Sequence, residues 1–212
     1  MKLFTRKKRN SINQLIKKQR FVVLSPLTLG FVLTTIIIFI LPEHTRTRYL
    51  GASSVFHLGT ISHIFVHADF TNHWFNNISM ILLLMPACED HYGIKKLVQM
   101  CFVCSVVEAV FNAVLTNYIL IGASGIVFML IVLTPFVANA HETTNVMIPV
   151  CFVLVILMFL GKEVYISLTE NDQISHLCHV VGGVVGAIFA LRDRRHHKQR
   201  PKWLSWFFSS SS

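Results

Sequence analysis

The sequence predicts an all-α, polytopic membrane protein built from six transmembrane helices. Three observations predict it. Hydrophobic residues make up 53% of the 212-residue chain and charged residues only 14%, where a soluble domain would carry roughly a quarter charged. Six apolar stretches each approach the about 20 residues that cross the hydrocarbon core. Lysine and arginine gather at the two ends of the chain, with 8 of 19 in the first 20 positions and 6 between Arg192 and Lys202.

The six stretches are 21–42, closed by Pro42, then 70–88, 95–116, 122–140, 146–163 and 174–191. They divide the chain into a basic tail (1–20), a membrane domain (21–192) and a basic, aromatic tail (193–212). Length alone fits one domain, or at most two. The first stretch is too long for a cleaved signal segment, and no small-residue cleavage site follows it.

Orientation comes from the charges. With both termini on the cytoplasmic side, the inner face carries 16 basic residues, including Lys95 and Lys96. The outer face carries Arg46, Arg48 and Lys162. Basic residues flank the cytoplasmic side of membrane helices, so this excess sets the topology and argues against nucleic acid as the partner of the basic ends. The N-terminal run "RKKRNSINQLIKKQR" reads as an anchor at anionic lipid. "WLSWFF" after Pro201 reads as an interfacial segment, and the last four serines as a disordered end. The five cysteines all lie in or beside apolar runs and make no metal spacing with histidine, so they read as small buried hydrophobes.

This topology makes stretches two, four and six run from outside to inside. Their N-terminal ends then lie at one depth. Those ends hold His73 and Asn77, then Ser124, then His179. Polar groups inside a membrane are costly, so several at one depth point to a shared function.

In "ISHLCHVVGGVVGAIFA" the spacing of His179, Gly182, Gly186 and Ala190 puts them on one helical stripe. Small residues there admit a close helix neighbour. The best neighbour is "GASG", in which Gly122 and Gly125 flank Ser124 and permit close backbone approach. A serine hydroxyl beside a histidine is an activated nucleophile. Such a pair needs donors for the oxyanion formed on attack. His73 and Asn77, four apart in "HADFTNHWFNN", share a helix face and both donate. The N–H of Ser124 at a helix start is a further donor. No carboxylate lies near either residue in sequence, and serine–base pairs without aspartate occur.

These segments together resemble the rhomboid family of intramembrane serine proteases. Glu89 and Gly93 in "PACEDHYGIKKLV" are similar to that family's Glu-x-x-x-Gly turn, and the resemblance runs over about residues 60 to 192. It implies a six-helix rhomboid-like bundle around an outward-facing aqueous cavity, with Ser124 as nucleophile and His179 as general base. His73, Asn77, Gly122 and the N–H of Ser124 would form the oxyanion side of the site. Phe128 matches an aromatic position that packs on the base histidine. The implied reaction is hydrolysis of peptide bonds in or near transmembrane helices of membrane-protein substrates, with no metal and no other cofactor. His67 and His73 are six apart, where five is usual in the family, and the family's Trp-Arg pair in the first outer loop is missing.

Plainer readings stand beside these. Ser124 alone would be a packing residue bonded one turn back. In the second near copy, "GASS", Ser53 and Ser54 read as turn residues. Asn76 competes with Asn77, and His176 with His179. His57, His63, His67 and His73 could suggest a metal, but no acidic ligand or HExxH accompanies them, and "HETTN" at His141 lacks the second histidine. Glu108, mid-helix, reads either as a protonated packing acid or as part of a proton path. The competing functions are a non-catalytic rhomboid-like protein that binds transmembrane helices and a small transporter using Glu108. The transporter would show internal symmetry between halves, and the sequence has none.

Overall fold

A computed structural model describes residues 25–54, 57–116, 118–138, 150–169 and 176–198. The basic N-terminal tail, residues 199–212 of the C-terminal tail, the His141 segment and the outer edges of several expected helices lie outside these residues. Eight α-helices are described: α1 (Pro26–Phe39), α2 (Glu43–Leu50), α3 (Gly59–Ser62), α4 (Phe75–Tyr92), α5 (Ile94–Leu115), α6 (Ser124–Ala138), α7 (Val150–Thr169) and α8 (His176–Lys198). The only β-pairing among the described residues is an isolated antiparallel bridge between Ala52 and Leu120. The architecture is all-helical, as the composition predicts.

Six of these helices fall on the six apolar stretches. Among the described residues, α5 and the His176–Asp193 part of α8 are long and apolar enough to cross a membrane; α1 and α6 are apolar but shorter. One boundary differs in kind. The second stretch was expected to be helical from residue 70, but 70–74 form a π-helical turn and α4 begins at Phe75. Asp69 produces the turn: its carboxylate accepts from the amides of Asn72 (2.6 Å) and His73 (3.3 Å), and its carbonyl accepts from Trp74 N–H at 2.9 Å. A wide turn of this kind is often found at functional sites.

α1 begins with Pro26, whose fixed φ suits a first helical position. Its exposed donors are met from another helix. The buried Glu89 carboxylate of α4 accepts from Leu27 N–H and Thr28 N–H, both at 2.9 Å, and from the Thr28 hydroxyl at 2.8 Å. A carboxylate at a helix N-terminus also meets the positive end of the helix dipole. Four residues on, Gly93 has φ +74°, which links α4 to α5 through a single residue. A side chain there is strained by backbone conformation alone.

α6 is the central helix. Ile126, Met129, Leu130 and Leu133 are fully buried on it, and its packing against α8 is the most extensive between helices in the described residues. The glycine stripe of α8 makes this possible. A Cβ at Gly182 would lie 2.8 Å from the Gly125 Cα, and one at Gly186 would lie 2.6 Å from the Met129 carbonyl oxygen. Ala190 is fully buried below them.

Replacing Glu89 with alanine strands three donors at the start of α1. Glu89→Ala is expected to cost about 2–4 kcal/mol, read as a lower unfolding temperature in detergent, with Glu89→Gln falling between the two. A Glu89→Ala variant as stable as wild type would show that the cap contributes nothing.

Candidate active site

The residues singled out in the sequence lie where α4, α6 and α8 begin. Ser124 is the first residue of α6 and is half-buried, as is His179 in the first turn of α8. Phe128, one turn along α6 from Ser124, stacks flat on the His179 imidazole, with centroids 5.0 Å apart and planes at 6°. Phe159 of α7 meets the same phenyl ring edge-on at 6.2 Å. With Gly182 against Gly125, these contacts hold the first turn of α8 to that of α6. His176 packs edge-to-face on His179 at 5.8 Å. The expectation that Phe128 packs on His179 is therefore met, and His176 is its ring neighbour.

The turn before Ser124 is crowded. Gly122 has φ +115° and donates its N–H to the His63 carbonyl at 2.9 Å. A methyl group on Gly122 would overlap Nε2 of His73. Glycine is therefore required twice, by conformation and by space. His73 Nδ1 accepts from the Ala68 N–H at 3.1 Å, so a neutral His73 carries its proton on Nε2, the atom beside Gly122. His73 and His179 are electrostatic neighbours. Asn77 is buried and donates one amide hydrogen to the His73 carbonyl at 2.8 Å. Asn76 is exposed and bonds back to the Asn72 carbonyl at 2.8 Å, so of the two it is Asn77 that faces inward.

His67 is fully buried in the outer loop, edge-on to His73 at 5.1 Å, and its Nε2 faces the Ala123 N–H at 3.4 Å. Burial first, and then the neighbouring His73, pushes its pKa down from 6.5 to about 3. The extra residue between His67 and His73 leaves both rings against the 122–125 turn. No group of three or more His, Cys, Asp or Glu side chains suited to a metal occurs among the described residues.

Two features carry no sequence signal strong enough to have been singled out. Arg46 looks in the sequence like one outer-face cation. It is buried, and its guanidinium donates to the carbonyls of Phe39 (3.2 Å), Leu41 (2.9 Å), His67 (3.0 Å) and Ala68 (2.8 Å) while lying over the Phe39 ring. It ties the end of α1 to the loop that carries His67. The other is the placement of Glu108 directly beneath Gly125, with His63 at 3.6 Å.

Two helices of membrane length among the described residues, a small-residue helix contact and a polar cluster where three helices begin are features of a helical membrane protein. A family model described as the rhomboid domain matches residues 55–196, well over half of the chain. The chain belongs to the rhomboid family, whose members are integral membrane proteins and generally intramembrane serine proteases. No curated protein matches the chain.

Two outcomes follow from this geometry. Gly182→Val inserts side-chain atoms where α8 meets the Gly125 backbone, so it should lower the unfolding temperature more than the same change at Gly161, where nothing lies within 4 Å; equal effects would refute the close contact. For His67, the folded pKa lies below the ordinary 6.5. Its contribution to stability is then fully present above about 6.5 and is lost as pH falls from there toward about 3. His67→Asn should flatten the fall in unfolding temperature over that range, and an unchanged slope would contradict the assignment.

Proposed function

We propose that the chain is an intramembrane serine endopeptidase of the rhomboid type. In this reading Ser124 is the nucleophile and His179 the general base. The backbone N–H of Ser124, with His73 Nε2–H and the free amide hydrogen of Asn77, stabilises the oxyanion, and Gly122 leaves the space in which it forms. The chain crosses the membrane six times with both termini cytoplasmic. Its substrates are membrane proteins cut in or near a transmembrane helix.

One observation carries the reading: the parallel stack of Phe128 on His179, one turn from Ser124. A histidine held flat on an aromatic ring keeps its two nitrogens in the plane between the ring and the cavity. One of them can then accept the serine proton on attack and return it to the leaving amine. Catalysis of this kind depends on such pre-set orientation. Further support comes from the burial of Leu120 and Ala123 ahead of Ser124. Irregular backbone at membrane depth is tolerated where protein covers it or where it lines an aqueous cavity, and hydrolysis needs that water.

The test is cleavage of a transmembrane reporter by purified protein in liposomes, with labelling by a fluorophosphonate probe in parallel. Wild type is expected to cleave and label. Ser124→Ala should abolish both, and His179→Ala should lower both by at least about a thousandfold. Labelling that survives Ser124→Ala would assign the nucleophile elsewhere. A folded wild type that neither cleaves nor labels would favour a non-catalytic protein that binds transmembrane helices.

A further inference from the structure

Glu108 has 1% exposure in the middle of α5, an apolar helix long enough to span a membrane. An isolated carboxylate in such a place is too costly to persist; it is paired or neutralised. Its surroundings specify how. Oε1 accepts from the Cys104 thiol at 2.9 Å. Oε2 faces Nε2 of His63 at 3.6 Å. His63 is fully buried, and its Nδ1 lies 2.9 Å from the Gly59 carbonyl oxygen. A carbonyl only accepts, so Nδ1 carries a hydrogen. His63 Nε2 has no hydrogen-bond partner among the described residues, and Glu108 is the acid that faces it.

Only a few proton arrangements are compatible with this geometry. With Oε1 taken by the thiol, the proton of a neutral Glu108 lies on Oε2. With Nδ1 donating to Gly59, the proton of a charged His63 lies on Nε2. Either arrangement aims one hydrogen from one group toward the other across 3.6 Å. Removing it would leave a buried carboxylate facing a nitrogen lone pair.

The same two residues hold the turn that carries Ser124. The His63 carbonyl accepts the Gly122 N–H at 2.9 Å. Gly125 lies flush against the Glu108 carboxylate, so that any side chain would overlap it. One residue fixes the start of the turn and the other supports its end. We propose that Glu108 and His63, facing each other across the buried space beneath the turn, act as a positioning pair that sets the place of the Gly122–Gly125 turn. Its effect on catalysis rests on Ser124 being the nucleophile, whereas the hold on the turn does not.

Two measurements separate these levels. The first is a double-mutant cycle on unfolding temperature in detergent. Gly125→Ala forces a methyl group into the carboxylate, so its penalty should shrink by at least half in a Glu108→Ala background. Equal penalties in both backgrounds would overturn the contact, whether or not the protein is an enzyme. The second is the rate of fluorophosphonate labelling, measured below the unfolding temperature of each variant. Glu108→Leu should slow labelling by about tenfold or more. Glu108→Gln should return it to within about threefold of wild type, because its carbonyl can accept from Cys104 while its amide donates to His63 Nε2. A Glu108→Leu variant that labels at the wild-type rate would overturn the positioning role. Glu108→Gln as slow as Glu108→Leu would overturn the polar pairing of Glu108 with His63. Coupling in the cycle with an unlabelled wild type would uphold the hold on the turn and count against the protease reading alone.

Discussion

The site in this molecule depends on the contact of backbone with backbone where Gly182 of α8 meets Gly125 of α6. Lipid tails are as apolar as leucine, so helices in a membrane gain little from hydrophobic burial against each other. They associate through dispersion and polar contacts, and both need close approach. Without a Cβ at Gly182, α8 can lie against the start of α6. That approach brings His179 over Phe128 and puts the two helix starts side by side. Gly186 and Ala190 continue the seam below, against Met129 and into the core. The seam thus fixes the angle and depth of α8 along several turns, while the ring stack fixes the imidazole at its upper end.

The rest of the bundle is joined by charged groups that serve backbone atoms. Glu89 meets the donors at the start of α1, and Arg46 meets the acceptors at its end. Both residues are buried, and neither is matched by an opposite charge in these contacts. Carboxylate to N–H and guanidinium to carbonyl are charge-assisted bonds, stronger than neutral ones. They also satisfy the carbonyls of His67 and Ala68 in the outer loop. Arg46 reaches past α1 to His67 and Ala68. Ala68 in turn donates to His73, and Trp74 donates to Thr35 of α1. The position of His73 is thereby tied to α1 through hydrogen bonds as well as to α4 by chain connectivity. Lysine could not replace Arg46 here, since a single ammonium cannot span four carbonyls in a fork.

Much of this was legible in the sequence, for identifiable reasons. Helix positions follow from apolar length, and the α8 seam follows from the three-and-four spacing after His179. Both are local patterns that survive whatever the partner is. The choice of Asn77 over Asn76 also came from spacing, and burial agrees with it. What the sequence hid depends on pairs distant along the chain. Arg46 looks like any outer-loop cation until the carbonyls of residues 39, 41, 67 and 68 are brought round it. Glu108 is visible as a costly acid, but its partners lie 45 residues before it at His63 and 17 after it at Gly125. The π-helical turn at 70–74 escaped because its cause is one aspartate accepting from two amides, a competition between side chain and backbone that hydropathy does not register.

The four residues Gly122-Ala123-Ser124-Gly125 then read as a packing solution more than a flexible loop. Gly122 is glycine because its φ is positive and an imidazole occupies its side-chain space. Ala123 is fully buried, with its amide toward His67. Gly125 is glycine because the Glu108 carboxylate occupies its side-chain space. Each neighbour is held to the smallest group by a different element of the fold. Ser124 alone is half-buried, with room for an atom beyond Cβ. The groups that forbid side chains at 122 and 125, an imidazole and a carboxylate, hold the turn on either side of it. In the proposed reading, with Ser124 as the nucleophile, a turn held by its own packing has little ordering left to lose when a substrate arrives.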